Sequence, residues 1–284
     1  MTAAPDDSIL FVTARGMFAS EARRLREEAG LSLTRVGEVA RCDKGYVSRI
    51  ERGEKFPKES VAAALDEALG ARGLLERLWL LAVSGSIDDY ARRFMELEQR
   101  ASKMHKYMAQ TIPGILQTES YARALIGASR PRLSAEQVEE LVVARVARQR
   151  ILRREEPPLL WAVLDEAVIR CPMGGASVMV RQLERVAQAA GQPDVTIQVL
   201  PFSAGARGLE GGSLTILSFP RGSDVVYREG IDSGSLVESA EAVSDYSFRY
   251  DLLRVKALTP EASIDLIQTA IEEYRSCART PEPT

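Results

Sequence analysis

The sequence has few of the residues on which many catalytic and metal sites depend. Its 284 residues include one histidine, His105, and three cysteines, Cys42, Cys171 and Cys277. The cysteines are odd in number and far apart, with no pair at the two-residue spacing of a metal or redox site. This pattern argues against a disulfide framework and against a zinc site. We therefore expect neither a metal nor a cofactor.

Long apolar runs are also missing. No stretch approaches the roughly 20 apolar residues that a membrane span needs. The first ten residues, MTAAPDDSIL, lack the basic start of a signal peptide. At 45% hydrophobic residues, the chain can still bury sizeable cores. These features predict a cytoplasmic protein of about two domains, with no membrane contact.

The clearest pattern lies in residues 31–57, LSLTRVGEVARCDKGYVSRIERGEKFP. A short apolar stripe ends at a break, and Asp43 then stands where it can cap the N-terminus of a second helix. Val47 and Ile50, three residues apart, form the inward face of that helix, and Gly53 ends it. Two short helices with a tight turn between them, the second one basic outside, indicate a helix-turn-helix.

This stretch resembles a known family. The segment SRIERG, residues 48–53, followed by a proline, is similar to the signature of Xre or phage-repressor helix-turn-helix proteins. The likeness covers about residues 18–69, and it implies double-stranded DNA as the ligand, read by the second helix in the major groove. The resemblance implies Lys44, Gly45 and Arg49 as DNA-reading positions, with Tyr46 and Ser48 beside them. The predicted DNA-binding set also includes the basic residues Arg41, Arg52, Lys55 and Lys58. The resemblance also implies a structural ion pair between Arg26 and Glu51.

Three positions depart from the family pattern. Leu33 stands where a glutamine usually contacts the DNA backbone, so one polar contact is lost. Arg41 replaces the usual glycine of the turn and adds a positive charge. Gly37 replaces the usual alanine.

The net charge of −3 is low for a DNA-binding protein, but charge acts locally. Residues 33–58 contain seven basic and four acidic side chains, a surplus of three. This surplus is modest for one protomer. We expect a homodimer, because two copies double the phosphate contacts and steepen the salt dependence of binding.

We place the boundary between the two domains at Ser84-Gly85-Ser86, the first segment of flexible loop residues after the helix-turn-helix. Helical periodicity continues to residue 154, and short β-branched segments bounded by Gly, Pro and Ser then indicate strands. We therefore predict an α+β protein, with an all-α helix-turn-helix domain in residues 1–84. Residues 85–284 are predicted to form a helix-rich α+β domain with a small mixed sheet.

The second half carries its own resemblance, over about residues 94–266. The segments PGILQTESYARALI, WAVLDEAVIR, VTIQVLPFSAGA and DVVYREG resemble the DUF5753-type domain of WhiJ-like or Scr1-like regulators of actinobacteria. These regulators are described as antitoxin-like. The resemblance implies that the second domain binds a small protein of the BldB-like type.

Catalysis has little support in the residues. His105 lies within a segment, residues 88–108, that we predict to be helical and to expose it, and no G-x-S-x-G accompanies it. Asp165 and Glu166 are adjacent on a predicted strand, so they point to opposite faces and form no catalytic pair. We expect one of them to be exposed and the other to bind Arg170 or a helix end. The protein is not expected to be an enzyme.

Two further segments leave alternatives open. The glycine-rich loop after the second predicted strand contains Phe202, Arg207 and Glu210, and it can be a ligand or partner surface or a plain hairpin. The basic run from Arg145 to Arg154 can be a second DNA contact. The better-supported alternative is a helix whose arginines pair with neighbouring glutamates.

The whole sequence predicts a sequence-specific transcriptional regulator, controlled through its C-terminal domain by a small partner protein or ligand. The alternative is an antitoxin-like protein that sequesters a small partner and binds DNA only for autoregulation. An enzyme fused to a DNA-binding head comes third.

Overall fold

The structure, a computed structural model, describes residues 14–85, 89–206, 208–209, 211–230 and 233–279, without the side chains of residues 83–85, 89–92 and 279. The described chain divides into two compact units. The first contains residues up to 85 together with 132–147, and the second contains the rest. Residues 132–147 thus group with the first unit, although they lie inside the range 85–284 that the sequence assigns to the second domain.

Helices dominate the described residues. In chain order they are α1 (Ala14–Glu28), α2 (Leu33–Val39), α3 (Lys44–Glu51), α4 (Glu59–Ala68), α5 (Leu74–Gly85), α6 (Asp89–Arg100), α7 (Glu119–Ser129), α8 (Ala135–Ala147), α9 (Glu166–Arg170), α10 (Ala176–Ala190), α11 (Ala240–Lys256) and α12 (Pro260–Arg279). The strands are β1 (Lys103–Met108), β2 (Leu159–Asp165), β3 (Val195–Leu200), β4 (Ser213–Ser218), β5 (Val225–Gly230) and β6 (Ser233–Val237). Short 3₁₀ turns span Gly114–Leu116, Arg148–Arg153 and Phe202–Ala204.

The first unit is all helical, built from α1 to α5 and α8. Aromatic rings hold its centre together. Phe56 stacks on Trp79 at a centroid distance of 6.2 Å and meets the edge of Phe18 at 6.2 Å. The indole nitrogen of Trp79 donates to the carbonyl of Pro57 at 2.9 Å, so the loop after α3 is tied to α5. This core supports the helix-turn-helix formed by α2 and α3.

The second unit is built on a six-stranded mixed sheet in the order β3-β2-β1-β4-β5-β6, as far as the structure describes it. β1, β2 and β3 are parallel, and β4, β5 and β6 pair antiparallel. Buried side chains of α10 and α12 pack against one face of the sheet, and those of α11 pack against the other. The α+β prediction is confirmed.

Several predicted elements are corrected. The helix expected over residues 88–108 ends at Arg100, and β1 follows it in the centre of the sheet. Helical spacing of apolar residues continues to Met104 by coincidence, while pairing with β2 and β4 determines the conformation. The helical periodicity that continues to residue 154 forms an α-helix only as far as Ala147, where α8 ends. The edge strand β6, rich in Ser and Gly, was not predicted. Among the described residues, no helix has both the length and the apolar character to cross a membrane.

Candidate nucleic-acid interface

Helix α3 has the form expected of a reading helix. Asp43 precedes it in extended conformation, and its carboxylate accepts the backbone N–H of Tyr46 at 2.8 Å. Val47 and Ile50 are 1% exposed and anchor the helix in the core. The side chains of Lys44 and Arg49 remain exposed on the outer surface of the helix. Lys44, on the first turn of α3, and Arg49, more than one turn later, can both reach into a groove of DNA.

The turn between α2 and α3 explains two departures from the family pattern. Arg41 has a φ of 53°, the left-handed conformation for which glycine is the usual residue. Its side chain is exposed, so the strained backbone conformation of Arg41 places a positive charge on the surface of the turn. A Cβ on Gly37 would lie 2.6 Å from the carbonyl oxygen of Cys42. This close approach requires glycine there, because the oxygen belongs to the backbone.

The expected pair between Arg26 and Glu51 is present. The guanidinium Nε donates to Oε1 at 2.7 Å and Nη2 donates to Oε2 at 2.8 Å. The side chains are 14% and 7% exposed. Hydrogen bonding to Glu51 raises the pKa of Arg26. This bidentate pair joins the end of α1 to the end of α3 and fixes the orientation of the reading helix.

The remaining predicted DNA-binding residues differ in availability. Arg52 forms a bidentate ion pair with Glu54 and also donates to the hydroxyl of Ser48. The guanidinium of Arg49 lies 6.0 Å from the centre of the Tyr46 ring, which is half-buried. Binding of a phosphate by Arg52 would therefore compete with its ion pair to Glu54. Gly45 is exposed and has no side chain to offer, and exposed Lys58 and partly exposed Lys55 follow in the next loop.

Helix α8 is part of the first unit, which the sequence did not predict. Ala144 is 5% exposed and belongs to the core of the first unit. Glu140 forms an ion pair with Arg15, and Arg15 also donates to the carbonyl of Gly53 at 2.7 Å. Burial lowers the pKa of Arg15. The end of α3 is thus linked to α8 through one arginine of α1.

An acidic surface of α8 adjoins the loop after α3. One small recess is lined by Arg15, Glu54, Lys55, Phe56, Glu136, Glu139 and Glu140. The pKa of Glu136 is lowered, first by hydrogen bonds from its own backbone N–H and from Ser134 and to a smaller degree by the charge of Lys55. Acidic side chains therefore lie beside a lysine that was expected to contact phosphate.

The residues considered for catalysis have structural partners. His105 is half-buried on β1, and the prediction that it lies exposed on a helix is wrong. Its ring stacks on Tyr250 at 5.3 Å, and burial lowers its pKa below the ordinary 6.5. Asp165 is buried and caps α9 by accepting the N–H of Ala167 at 3.0 Å.

Glu166 pairs with Arg170, as expected for one of the two carboxylates. It also accepts the N–H of Phe202 at 2.8 Å. Neither acidic side chain is exposed, so the prediction that one of them would be is wrong. The strand ends at Asp165 and Glu166 begins α9, so the two residues do not lie together on a strand as predicted. Phe202 is itself 54% exposed. Arg207 and Glu210, which were predicted with Phe202 as residues of a ligand or partner loop, lie outside the described residues.

Two arginines of the basic run from Arg145 to Arg154 bind partners other than the neighbouring glutamates. Arg148 binds Glu98 through Nη2 at 2.7 Å, and Arg154 donates to the carbonyls of Gln99 and Ala101. These partners lie some 50 residues away in sequence, so a local helix pattern could not reveal them. Within the described residues, no group of three His, Cys, Asp or Glu side chains is placed to hold a metal ion.

Two family descriptions match the chain. A helix-turn-helix domain matches residues 18–79, and a domain of unknown function, DUF5753, matches residues 91–269. No curated protein and no solved structure gives a significant match. The first match coincides with the unit that contains α2 and α3. The second match covers more than half of the chain, which therefore belongs to the DUF5753 family and carries an N-terminal helix-turn-helix domain.

Proposed function

We propose that the protein is a cytoplasmic transcriptional regulator that binds specific sites in double-stranded DNA as a homodimer. The observation that carries this proposal is α3, which is capped at Asp43, anchored at Val47 and Ile50, and exposes Lys44 and Arg49. An exposed basic helix on a rigid all-α support has the geometry of major-groove readers. The matching helix-turn-helix family supports the same conclusion. The proposal includes no catalytic activity.

Direct base recognition is assigned to Lys44 and Arg49. Arginine can bind O6 and N7 of guanine bidentately, which discriminates against other bases by about 1–3 kcal/mol. Lys55 and Lys58 follow α3, where contact with phosphate is expected. Because phosphate contacts carry no sequence information, the two groups of residues should have different effects on specificity.

Binding titrations on a site and its single-base variants, at several salt concentrations, test this assignment. Arg49→Ala should relax the preference at one base pair. Lys55→Ala should weaken binding to all sequences alike and reduce the salt slope by about one unit. Arg72→Ala, at an exposed arginine of the first unit outside α3, serves as the control and should change neither quantity. An Arg49→Ala protein with full base preference would remove α3 from its proposed role.

We further propose that the second domain controls the DNA-binding unit through α8. This helix lies within the 91–269 family match, yet its Ala144 packs in the core of the first unit. The chain enters and leaves α8 from residues of the second unit. A small partner protein of the BldB-like type or a ligand that shifts α8 would move its acidic residues relative to Lys55. The resemblance of the second domain supports such a partner.

Neutralising the acidic residues of α8 tests this coupling. Glu136→Gln combined with Glu139→Gln should tighten binding to all DNA sequences about two- to fivefold, because repulsion of phosphate near Lys55 is reduced. Base preference should remain unchanged. Glu261→Gln, which alters an exposed first-turn glutamate of α12, is the matched control. Unchanged affinity in the double variant would contradict a role for α8 in the electrostatics of binding.

A further inference from the structure

A cleft in the second unit lies where the end of α6 meets the turn between β4 and β5. Its volume is about 270 Å³. The lining residues come from α6, from the turn at residues 219–225 and from Glu238, which follows β6. Clefts for drug-sized ligands typically measure about 300–1,000 Å³, so this one fits a smaller molecule.

Hydrogen bonds tie the segments that form the cleft to one another. Ser102, which follows α6, donates its backbone N–H to the carbonyl of Ser218 at 2.9 Å. The hydroxyl of Ser218 donates to the carboxylate of Asp224 at 2.8 Å and so joins the two ends of the turn. Within the turn, Gly222 has a φ of 104°, a conformation that glycine adopts without strain. The cleft is therefore formed before any ligand binds.

Three charged side chains of the cleft lack a partner among the described residues. Arg100, Arg221 and Glu238 are exposed, and their side chains make no ion pair or hydrogen bond with the part of the chain that the structure describes. On α11, by contrast, exposed Arg249 pairs with Asp245 at 2.7 Å. Opposite charges that line one cleft attract each other, so their lack of pairing shows that the three segments hold them apart. A molecule that carries both charges can bridge them.

The cleft also has an apolar wall. Leu97 and Val225 are each 6% exposed, and Phe219 packs against the same core while it remains partly exposed. Because all three side chains line the cleft, an apolar group of a ligand can be buried against them. The matching ligand has a negative group, a positive group and an apolar part. An α-amino acid with an apolar side chain has all three within a small volume.

We propose that this cleft binds a small zwitterion, an α-amino acid with an apolar side chain. Arg100 and Arg221 bind its carboxylate, because a guanidinium presents paired donors to carboxylate oxygens. Glu238 accepts hydrogen bonds from its ammonium group, and its side chain packs on the apolar wall. Use of the site as a regulatory input rests on the proposed function, since α6 also carries Glu98, whose partner Arg148 directly follows α8.

Equilibrium dialysis of the full chain measures this binding without DNA. The probes are L-valine, L-leucine, L-isoleucine, L-methionine and L-phenylalanine, each compared with an analogue that lacks the amino group and an analogue that lacks the carboxyl group. At least one amino acid should bind about tenfold or more tightly than both of its analogues, because each analogue loses one charge-assisted interaction. Glycine, which has both charges and no side chain, should also bind more weakly.

Variants assign each charge of the cleft to one part of the ligand. Glu238→Gln should reduce the affinity for the amino acid to that for the analogue without the amino group. Arg100→Gln combined with Arg221→Gln should reduce it to that for the analogue without the carboxyl group. Arg181→Gln, at an exposed arginine of α10, is the matched control and should leave the affinity unchanged. All four residues are exposed, so circular dichroism should show the same helix content in each variant.

Three results would overturn the proposal. The first is that none of the five amino acids binds. The second is that the analogues with a single charge bind as tightly as the amino acids, and the third is that the cleft variants bind like the wild type. None of these measurements involves DNA, so the proposed role of α3 is decided separately by the Arg49→Ala titrations.

Discussion

Replacing Glu51 by alanine should destabilise the first unit by about 3–5 kcal/mol. The carboxylate is 7% exposed and accepts two hydrogen bonds from Arg26, whose side chain is 14% exposed. Without it, a largely buried guanidinium keeps its charge and loses its bidentate partner, and only the longer contacts with Glu27 at 3.4 Å and the carbonyl of Leu31 at 3.2 Å remain. The loss should fall on the contact between α1 and α3, so DNA binding should fail because the unit unfolds.

The chain contains its own control for this variant. Arg52 and Glu54 form an ion pair with the same bidentate geometry, at 2.7 Å for both bonds, but the side chains are 47% and 49% exposed. Glu54→Ala should therefore destabilise the first unit far less than Glu51→Ala does, because an exposed ion pair contributes little to stability. Denaturant unfolding monitored by tryptophan fluorescence measures both, in a Trp161→Phe background that leaves buried Trp79 to report on the first unit. Equal losses in the two variants would show that burial is not what makes the Glu51 pair important.

The helix-turn-helix could be predicted because its determinants are local. The cap at Asp43 and the inward face of Val47 and Ile50 lie within eight residues, and the structure contains both. The Arg26–Glu51 pair spans 25 residues and came from the family resemblance. The resemblance also marks the position of Arg41 as a glycine of the turn, which is consistent with its positive φ, although that conformation itself was not predicted.

The remaining features depend on contacts that periodicity does not encode. β1 carries Lys103, His105 and Lys106, a composition that discourages assignment to a central strand. The charge of Lys106 is tolerated because Glu98, at the end of the preceding helix α6, binds it at 2.9 Å. The packing of α8 with the first unit is likewise non-local. Its apolar residues predict burial, but nothing in the spacing indicates which core receives Ala144.

Replacing Glu98 by alanine should destabilise the second unit by about 3–5 kcal/mol. The carboxylate is fully buried and binds two cations, Lys106 at 2.9 Å and Arg148 at 2.7 Å. Both cations also lie near the ring of Phe94, at 5.3 and 5.9 Å from its centre. Removing this carboxylate would leave two positive charges close to each other without the group that binds both. Glu184→Ala, which breaks an exposed pair with Arg275, should cost at most about 1 kcal/mol.

The same group predicts a pH dependence. Burial by itself raises the pKa of Glu98, but attraction to Arg148 and Lys106 outweighs it and lowers the pKa from 4.5 to about 2. The unfolded chain therefore binds a proton at higher pH than the folded chain. The stabilisation is complete above pH 4.5 and is lost as the pH falls towards 2, by on the order of 3 kcal/mol.

Comparing the wild type with Glu98→Gln separates the pH-dependent contribution of Glu98 from that of the other carboxylates. Glutamine keeps the shape of the side chain and cannot lose a proton in this range, so it should be less stable than the wild type at neutral pH. The gap in unfolding free energy should narrow as the pH is lowered from 4.5 to 2, because Glu98 of the wild type then becomes neutral as well. Trp161 fluorescence in a Trp79→Phe background reports on the second unit. A gap that stays constant with pH would contradict a charged Glu98 in the folded protein.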